Sequence, residues 1–472
     1  MKLSLLCEKY AAKSRIVYDE EITSVTESTR DMKKGALFVC IKGARRDGHD
    51  FIPEAYRAGI RSFIVSREIV GYDDCNMIFV ENDRKALAEL SFALCGNPQK
   101  KLNVIGITGT KGKSTTGFVL YSVLNSLGVK CAFLGTIGAW GVECPVTPNT
   151  TPAPTVTASC MAQACERGIG VFILEVSSQA IKEERIYSIP FSLLIFTSMS
   201  EDHVGTHEHK SFDEYRDTKR RLFTDFGARV AVVNSDDEYA DFMSRGVFRV
   251  YRVGVVGDVP LCNICSGAFK TTFELGGNFC NIKIPGKYNA YNFSLAAVAA
   301  SVISGASLSC VVSHISDISV AGRFELISAS GRIFVIDYAH NAQSAAAVLS
   351  ECQRLTNGRV IAVYGSVGGR SECRRAPLAR AVERYADVSV ITADNPDAEE
   401  TLKICEELKN AYLNTESAVV ITDREAAIEY AFSISSIGDV IALLGKGHEN
   451  FQLVGGVPKP FSERAIIARL CE

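Results

Sequence analysis

The residues best suited to chemistry form a glycine- and lysine-rich turn, GITGTKGKST at 106–115, between an apolar run at 102–107 and a helical pattern that opens near Ser114. Gly109 and Gly112 permit close backbone approach to polyphosphate, Lys113 supplies a point charge, and the Ser114 hydroxyl suits Mg²⁺. The helix N-terminus adds its own favourable potential. Nucleoside triphosphate chemistry is the reading this predicts. The turn is a variant, because a GxxxxGK spacing ending at Lys113 would need glycine where Ile107 stands. A plain strand-to-helix link is the competing explanation.

Glu175 closes an apolar run at 171–176, which puts its carboxylate at the carboxyl edge of a strand, where open α/β sheets place ligand groups. It could hold Mg²⁺ beside the phosphates; a lone glutamate there also reads as a surface residue. A second such run, 192–197, leads into Ser-Met-Ser-Glu-Asp-His at 198–203, which makes His203 a candidate metal ligand and Asp202 its orienting partner. The chain has 7 histidines, and His203, His207 and His209 cluster here, though solvent-exposed loop histidines explain the cluster equally well. The basic stretch 215–223 reads as a solvated helix face with Leu222 and Phe223 turned inward.

The elements that must carry these residues are legible from periodicity. Strand-like runs at 37–41 and 62–65, with helical patterns at 52–58 and 84–95, describe a small N-terminal α/β domain, and Gly96-Asn97-Pro98 punctuates its end. From 102 onward, strand-length runs at 170–176, 192–197 and 230–234 alternate with helices, the pattern of a mostly parallel sheet covered on both faces. A further alternation at 333–337, 360–364, 388–392, 419–422 and 440–444 describes a C-terminal Rossmann-like α/β domain. The expected domains are 1–97, 98–323 and 324–472, with the central P-loop-type sheet carrying the nucleotide.

Bulk properties narrow the class. At 472 residues and 47% hydrophobic content the chain can bury several cores, and a net charge of −3 lacks the basic surface that nucleic-acid binding needs. The 16 cysteines are scattered, often in apolar runs, and read as reduced thiols; the CxxC of Cys262 and Cys265 has no second pair to make a zinc site. Residues 1–7 are too short an apolar stretch for a leader, and 295–315, broken by Gly305, reads as two packed helices rather than a span. A cytoplasmic monomer without membrane or nucleic-acid partners is expected.

Nine motifs in order, GTKGKST, EVSS, SxxxDH, TKRRLF, GKYNxxN, GRFE, DYAHN, DNP and GKGHE, together resemble the Mur ligases over nearly the whole chain. Ser28-Thr-Arg30 with Gly35-x-Leu-Phe38, and Asn149-Thr-Thr-Pro152, are most similar to the MurE type. The resemblance implies an ATP-dependent, ADP-forming acid–amino-acid ligase of peptidoglycan precursor synthesis, which adds the third amino acid to UDP-MurNAc-L-Ala-D-Glu through an acyl phosphate. By it, Gly109, Thr110, Lys111, Gly112, Lys113, Ser114 and Thr115 bind ATP, with Asn289, Arg323 and Asp337. Ser114 and Glu175 would hold one Mg²⁺, and His203 a second together with Lys219, if Lys219 carries a CO₂-derived carbamate. Lys113, Glu175, His203 and Lys219 would be catalytic. Ser28, Thr29, Arg30, Asn149, Thr150, Thr151, Ser177 and Arg185 would contact the UDP substrate, and Arg370, Asp394, Asn395, Asp397, Gly445 and Glu449 the incoming amino acid.

Two positions depart from the pattern. Gln179 stands where EVSSH is usual, and Asp397 where diaminopimelate-adding enzymes carry the arginine of DNPR. An acid at 397 would repel a distal carboxylate, so L-lysine or another diamino acid is the expected substrate and meso-diaminopimelate the alternative. A folylpolyglutamate-type ligase and a non-catalytic nucleotide-binding regulator are the remaining rivals.

Overall fold

The computed structural model of the 472-residue chain describes residues 1–43, 46–145, 149–200, 209–267, 269–369 and 372–471, with backbone alone at 11–13. The chain folds as two compact units, Met1–Val259 with Leu295–Ser307, and Pro260–Ser294 with Leu308–Glu472.

The first unit contains two sheets. A small parallel one runs in the order β1 (Ser24–Thr26), β2 (Ala36–Val39), β3 (Ser62–Val65) and β4 (Asn76–Phe79), with α1 (Ile52–Arg57) and α2 (Asp83–Leu94) packed on it. Asn82 caps α2 by accepting from Lys85 N, satisfying one of the orphan donors at the helix start. This helix has two apolar faces. Ala86, Leu87 and Leu90, at i, i+1 and i+4, pack into the core of the small sheet, whereas Phe92 joins the core of the next sheet.

That next sheet begins with β5 (Asn103–Thr108), which leads through the glycine turn into α3 (Lys113–Ser126), and continues through β6 (Cys131–Gly135), β7 (Gly138–Trp140), α4 (Pro154–Glu166), β8 (Val171–Glu175), β9 (Phe191–Phe196), α5 (Phe212–Thr224), β10 (Val230–Asn234) and β11 (Arg249–Gly254). Its order here is β11-β10-β9-β5-β8-β6-β7, parallel except for the terminal hairpin strand β7. Strands β5, β8 and β9 lie side by side with aligned carboxyl ends, because Ile107 pairs with both Glu175 and Ile195. Residues Val171–Glu175 are buried throughout, as a strand covered on both faces requires.

The second unit opens with an antiparallel meander, β12 (Val259–Ser266), β13 (Thr271–Leu275) and β14 (Asn278–Ile282). Two helices then occupy the apolar stretch expected to hold them, α6 (Lys287–Ser304), which belongs to the first unit from Leu295 onward, and α7 (Leu308–Val312), separated at Gly305 with its φ of +73°. The last sheet, β15 (Glu325–Ala329), β16 (Arg332–Asp337), β17 (Val360–Tyr364), β18 (Val388–Ile391), β19 (Ala418–Val420) and β20 (Val440–Leu444), has the order β15-β16-β20-β17-β18-β19 and is parallel except for β15. A hairpin, β21 (Phe451–Val454) with β22 (Val457–Pro460), follows it.

The periodicity located the central strands to within a residue or two. The hairpin strands and the meander escaped it, because they are short or half exposed and carry no continuous apolar run.

The last sheet also gives an acid-stability prediction. Arg375 forks onto both oxygens of Glu399, at 2.9 and 2.7 Å, and reaches Glu407 at 2.6 Å. Hydrogen bonding from Arg375 holds the Glu399 carboxyl at about 2, below its ordinary 4.5. A depressed carboxyl contributes stability that is whole above pH 4.5 and is lost as pH falls toward 2. Glu399→Gln should therefore flatten the acid limb of a denaturation series and leave the neutral plateau lower than that of the parent chain.

Candidate active site

The turn between β5 and α3 has the backbone its sequence demands. Gly112, at φ +84°, caps α3, and a Cβ on Gly109 would occupy the place of the Thr197 hydroxyl. Thr110 N donates to Ser198 O at 2.7 Å and Lys111 N to Ser198 Oγ at 3.2 Å, so the end of β9 holds the turn. Lys113 Nζ donates to Gly109 O at 2.8 Å and Thr110 O at 3.2 Å. Lys219 Nζ also donates to Gly109 O, at 3.1 Å. Two lysine nitrogens therefore converge on one carbonyl at the phosphate turn, where the charge of Lys113 suits a polyanion.

Lys219 reaches this position because α5 buries Tyr215, Thr218, Lys219, Leu222 and Phe223 as one stripe. The lysine is 1% exposed and sits over the Tyr215 ring at 4.9 Å. The expected solvated face fits Arg216 and Arg220 of this helix, but not Lys219. The sequence did carry the signal, since 219 lies one turn beyond Tyr215 and three before Leu222.

Glu175 is fully buried at the end of β8. Its Oε1 accepts from Thr136 N and its Oε2 lies 3.0 Å from Thr136 Oγ1, which is also 3.0 Å from Thr150 Oγ1. A carboxylate only accepts, so Thr136 donates to Glu175 and takes its own bond from Thr150. Gly135 permits this approach, because a side chain there would collide with the carboxylate. Next to it, Thr151 Oγ1 donates to Glu175 O at 2.8 Å and accepts from Ser177 N at 3.0 Å, while Arg185 Nη1 donates to Thr151 O at 3.0 Å. The structure thus brings Glu175, Thr150, Thr151, Ser177 and Arg185 together. Thr136 was missed; it follows β6 with no charge or periodicity to mark it.

Losing this hydroxyl should cost about 1.5–3 kcal/mol, the usual worth of a bond to a charged acceptor, or roughly a tenfold to hundredfold fall in kcat/KM for Thr136→Val. Thr136→Ser should retain most of the activity; a steady-state assay on the two variants checks this.

Gln179 Nε2 donates to Glu183 Oε1 at 2.6 Å, and Glu183 pairs with Arg185 and, at 3.7 Å, with Arg84. Ser28 caps a short turn by accepting from Arg30 N, and Arg30 and Asn149 are exposed. Glu27, beside Ser28, has its carboxyl pushed up by burial and opposed by Arg185 and Arg84. His203 and Arg370 lie outside the described residues, as does His207. His209 is buried, with Nε2 3.0 Å from Ser178 Oγ.

In the second unit, Asp337 ends β16 and accepts from Phe324 N at 2.7 Å, and the Arg323 guanidinium lies 4.8 Å over the Tyr338 ring. Asn289 is buried in the first turn of α6, where its Nδ2 donates to Pro285 O at 2.8 Å. The carboxyl ends of β18 and β20 bring Asp394, Asn395, Gly445 and Glu449 together. At their centre is Lys446, wholly buried, donating to Asn395 Oδ1 at 2.7 Å and Glu449 Oε2 at 2.6 Å. Behind them, Arg424 pairs with Glu463, both almost fully buried, and donates to Ala393 O and Leu444 O. Lys446, Arg424 and Glu463 were not singled out from sequence; Lys446 lies inside GKGHE and was within reach.

Asp397 departs from its expected role. Its Oδ1 accepts from Gly456 N at 2.8 Å and its carbonyl from Gly455 N at 2.6 Å, so the residue, at φ +53°, closes the turn of the β21–β22 hairpin. Aspartate is among the few residues that tolerate that conformation. The side chain therefore has a structural task in the hairpin turn, with one carboxylate oxygen accepting from the backbone.

Among the described residues no three His, Cys, Asp or Glu side chains gather as a metal cluster. Ser114 and Glu175 nevertheless offer the hard oxygen donors that Mg²⁺ prefers.

Comparison with known proteins places this arrangement. Residues 21–92 match the family model for the Mur ligase family catalytic domain, 107–300 the Mur ligase middle domain, and 322–447 the Mur ligase glutamate ligase domain. The chain belongs to the Mur ligase family and is an ATP-dependent acid–amino-acid ligase. Within that family it is 32% identical over 464 residues (96% of this chain, 94% of the relative) to the UDP-N-acetylmuramoyl-L-alanyl-D-glutamate–2,6-diaminopimelate ligase of Aquifex aeolicus. It is 33% identical over 460 residues (95% of each) to the enzyme of the same name from Caldanaerobacter subterraneus. A solved structure of a ligase of that name superposes with a TM-score of 0.66 at 24% identity, covering 100% of this chain and 98% of the other. A Mycobacterium tuberculosis folylpolyglutamate synthase reaches 0.61 at 16% identity over 77% of this chain and 92% of its own. No helix among the described residues is long and apolar enough to cross a membrane.

Proposed function

We propose that this ligase joins meso-2,6-diaminopimelate to UDP-N-acetylmuramoyl-L-alanyl-D-glutamate with hydrolysis of ATP to ADP and phosphate, acting as a cytoplasmic monomer built of domains 1–97, 98–323 and 324–472. The observation that carries the amino-acid assignment is the near full-length similarity to relatives bearing that activity in their names. The lysine expectation rested on the charge of one residue, Asp397, against which stands similarity along nearly the whole chain.

The chemistry follows from the residues. A carboxylate is a poor electrophile, so the D-glutamate carboxyl is phosphorylated, and the incoming amine displaces phosphate from the acyl phosphate. Lys113 and the turn amides stabilise charge on the transferring phosphoryl group. Ser114 and Glu175 would hold one Mg²⁺, and His203 with a carbamylated Lys219 a second; bound there, the ions supply charge neutralisation. Asn149, Thr150, Thr151, Ser177 and Arg185 hold the peptide end of the nucleotide substrate, with Ser28, Thr29 and Arg30 toward uridine. Asn289, Arg323 and Asp337 serve ATP. Arg370, Asp394, Asn395, Gly445 and Glu449 serve the amino acid.

An amino-acid panel with ATP, Mg²⁺ and the nucleotide dipeptide, read by product mass, tests this. The expected product carries diaminopimelate; preference for L-lysine would restore the charge argument at Asp397, and no product with any amino acid would sink the reading.

A further inference from the structure

Lys446, Asn395 and Glu449 form a closed triangle. Lys446 Nζ donates to Asn395 Oδ1 and to Glu449 Oε2, and Asn395 Nδ2 donates to the same Glu449 oxygen at 2.9 Å. Leu453 N fixes the amide from the other side by donating to Asn395 Oδ1 at 2.9 Å. Glu449 Oε2 is thereby committed, which leaves Oε1 as the oxygen on which a ligand ammonium can bear. The Lys446 side chain has no exposure; Asp394 Oδ1 at 3.9 Å and the Phe451 ring at 5.4 Å also lie beside it, and its charge reaches Glu463. A cation so enclosed cannot reach solvent, and it lies behind the carboxylate rather than in front of it.

We infer that Lys446 is a positioning residue of the amino-acid site, which keeps Glu449 ionised and its free oxygen aimed at the incoming amino acid. The inference rests on the proposed amino-acid role of Glu449. Burial pushes the Glu449 carboxyl up, and Asp394 adds to that rise, while Lys446 and Asn395 oppose it. Arg424 and Glu463 stand behind as a mutually compensated pair. Lys446 is the cation in direct contact with Glu449; without it, burial and Asp394 act together to protonate the group.

The test is the pH profile of KM for the amino acid in Lys446→Met and in the double variant Lys446→Met, Glu449→Gln. Lys446→Met should raise that KM about 100-fold near neutral pH, the scale of an uncompensated buried charge, and recover as pH rises and Glu449 ionises. The KM for ATP should stay within about threefold. The double variant, which removes the Lys446–Glu449 pair from both sides and leaves only Asp394 without its cation, should show the same KM as Glu449→Gln alone and no pH dependence from Glu449. A KM defect in Lys446→Met that is independent of pH, or one that adds to that of Glu449→Gln, would overturn the inference. Failure of the parent chain to use any amino acid would instead count against the proposed function.

Discussion

Lys113→Ala should abolish measurable amide formation, with kcat lowered by at least about 1,000-fold while the melting temperature holds. The lysine projects from the first residue of α3 back over its own turn, where it contacts two carbonyl oxygens, Gly109 O and Thr110 O. Both of these oxygens belong to its own turn, so the fold has less to lose than the reaction. Phosphoryl transfer, in contrast, asks the protein mainly for position and positive charge, and removal of one preorganised donor commonly costs about 100- to 1,000-fold. Lys113 supplies a full charge rather than a neutral donor, so the upper end applies. Measuring ADP release and amide product together with a thermal melt checks both halves. A variant that turns over within tenfold of the parent chain would remove Lys113 from the chemistry.

Arg424→Met should act in the opposite way, on the fold before the reaction. Arg424 and Glu463 are 1% and 2% exposed, with Arg424 Nη2 2.7 Å from Glu463 Oε1, and the guanidinium also ties Ala393 O to Leu444 O at the ends of β18 and β20. Removing the cation leaves a buried acid whose carboxyl burial already pushes up. Breaking such a pair from one side costs about 3–5 kcal/mol. In a segment of this size that corresponds to a melting shift of roughly 6–20 °C. Because Glu463 would then have to take up a proton to stay buried, the deficit should widen as pH rises. Replacing both partners, Arg424→Met with Glu463→Leu, should recover most of the loss. If the single and double variants melt alike, the pair is not what secures this edge of the sheet.

The contrast between these residues shows what a sequence discloses. Lys113 stands in a turn whose glycines, flanking strand and helix all announce phosphate chemistry, and Glu175 was placed correctly because an apolar run fixes where a parallel strand ends. Arg424 follows a helix cap and reads as a surface arginine; only the return of Glu463, 39 positions later, makes it internal. Thr136 is invisible for the same reason, since its partners Thr150 and Glu175 arrive from other elements. Asp397 adds a second case. Its residue type suggested a charge effect, whereas its task in the turn depends on Gly456, more than 50 residues further along. Local order and strand ends are legible in the sequence; hydrogen-bond closure between distant segments is not.

Phe92 has a bearing on engineering. Because this ring leaves the helix of the first sheet and sits, without exposure, in the core of the second, the N-terminal segment is not a cassette that can be exchanged freely between relatives. A chimera joined near Gly96 would need a matching aromatic plug on the donor side, or it would begin with a hole in the recipient.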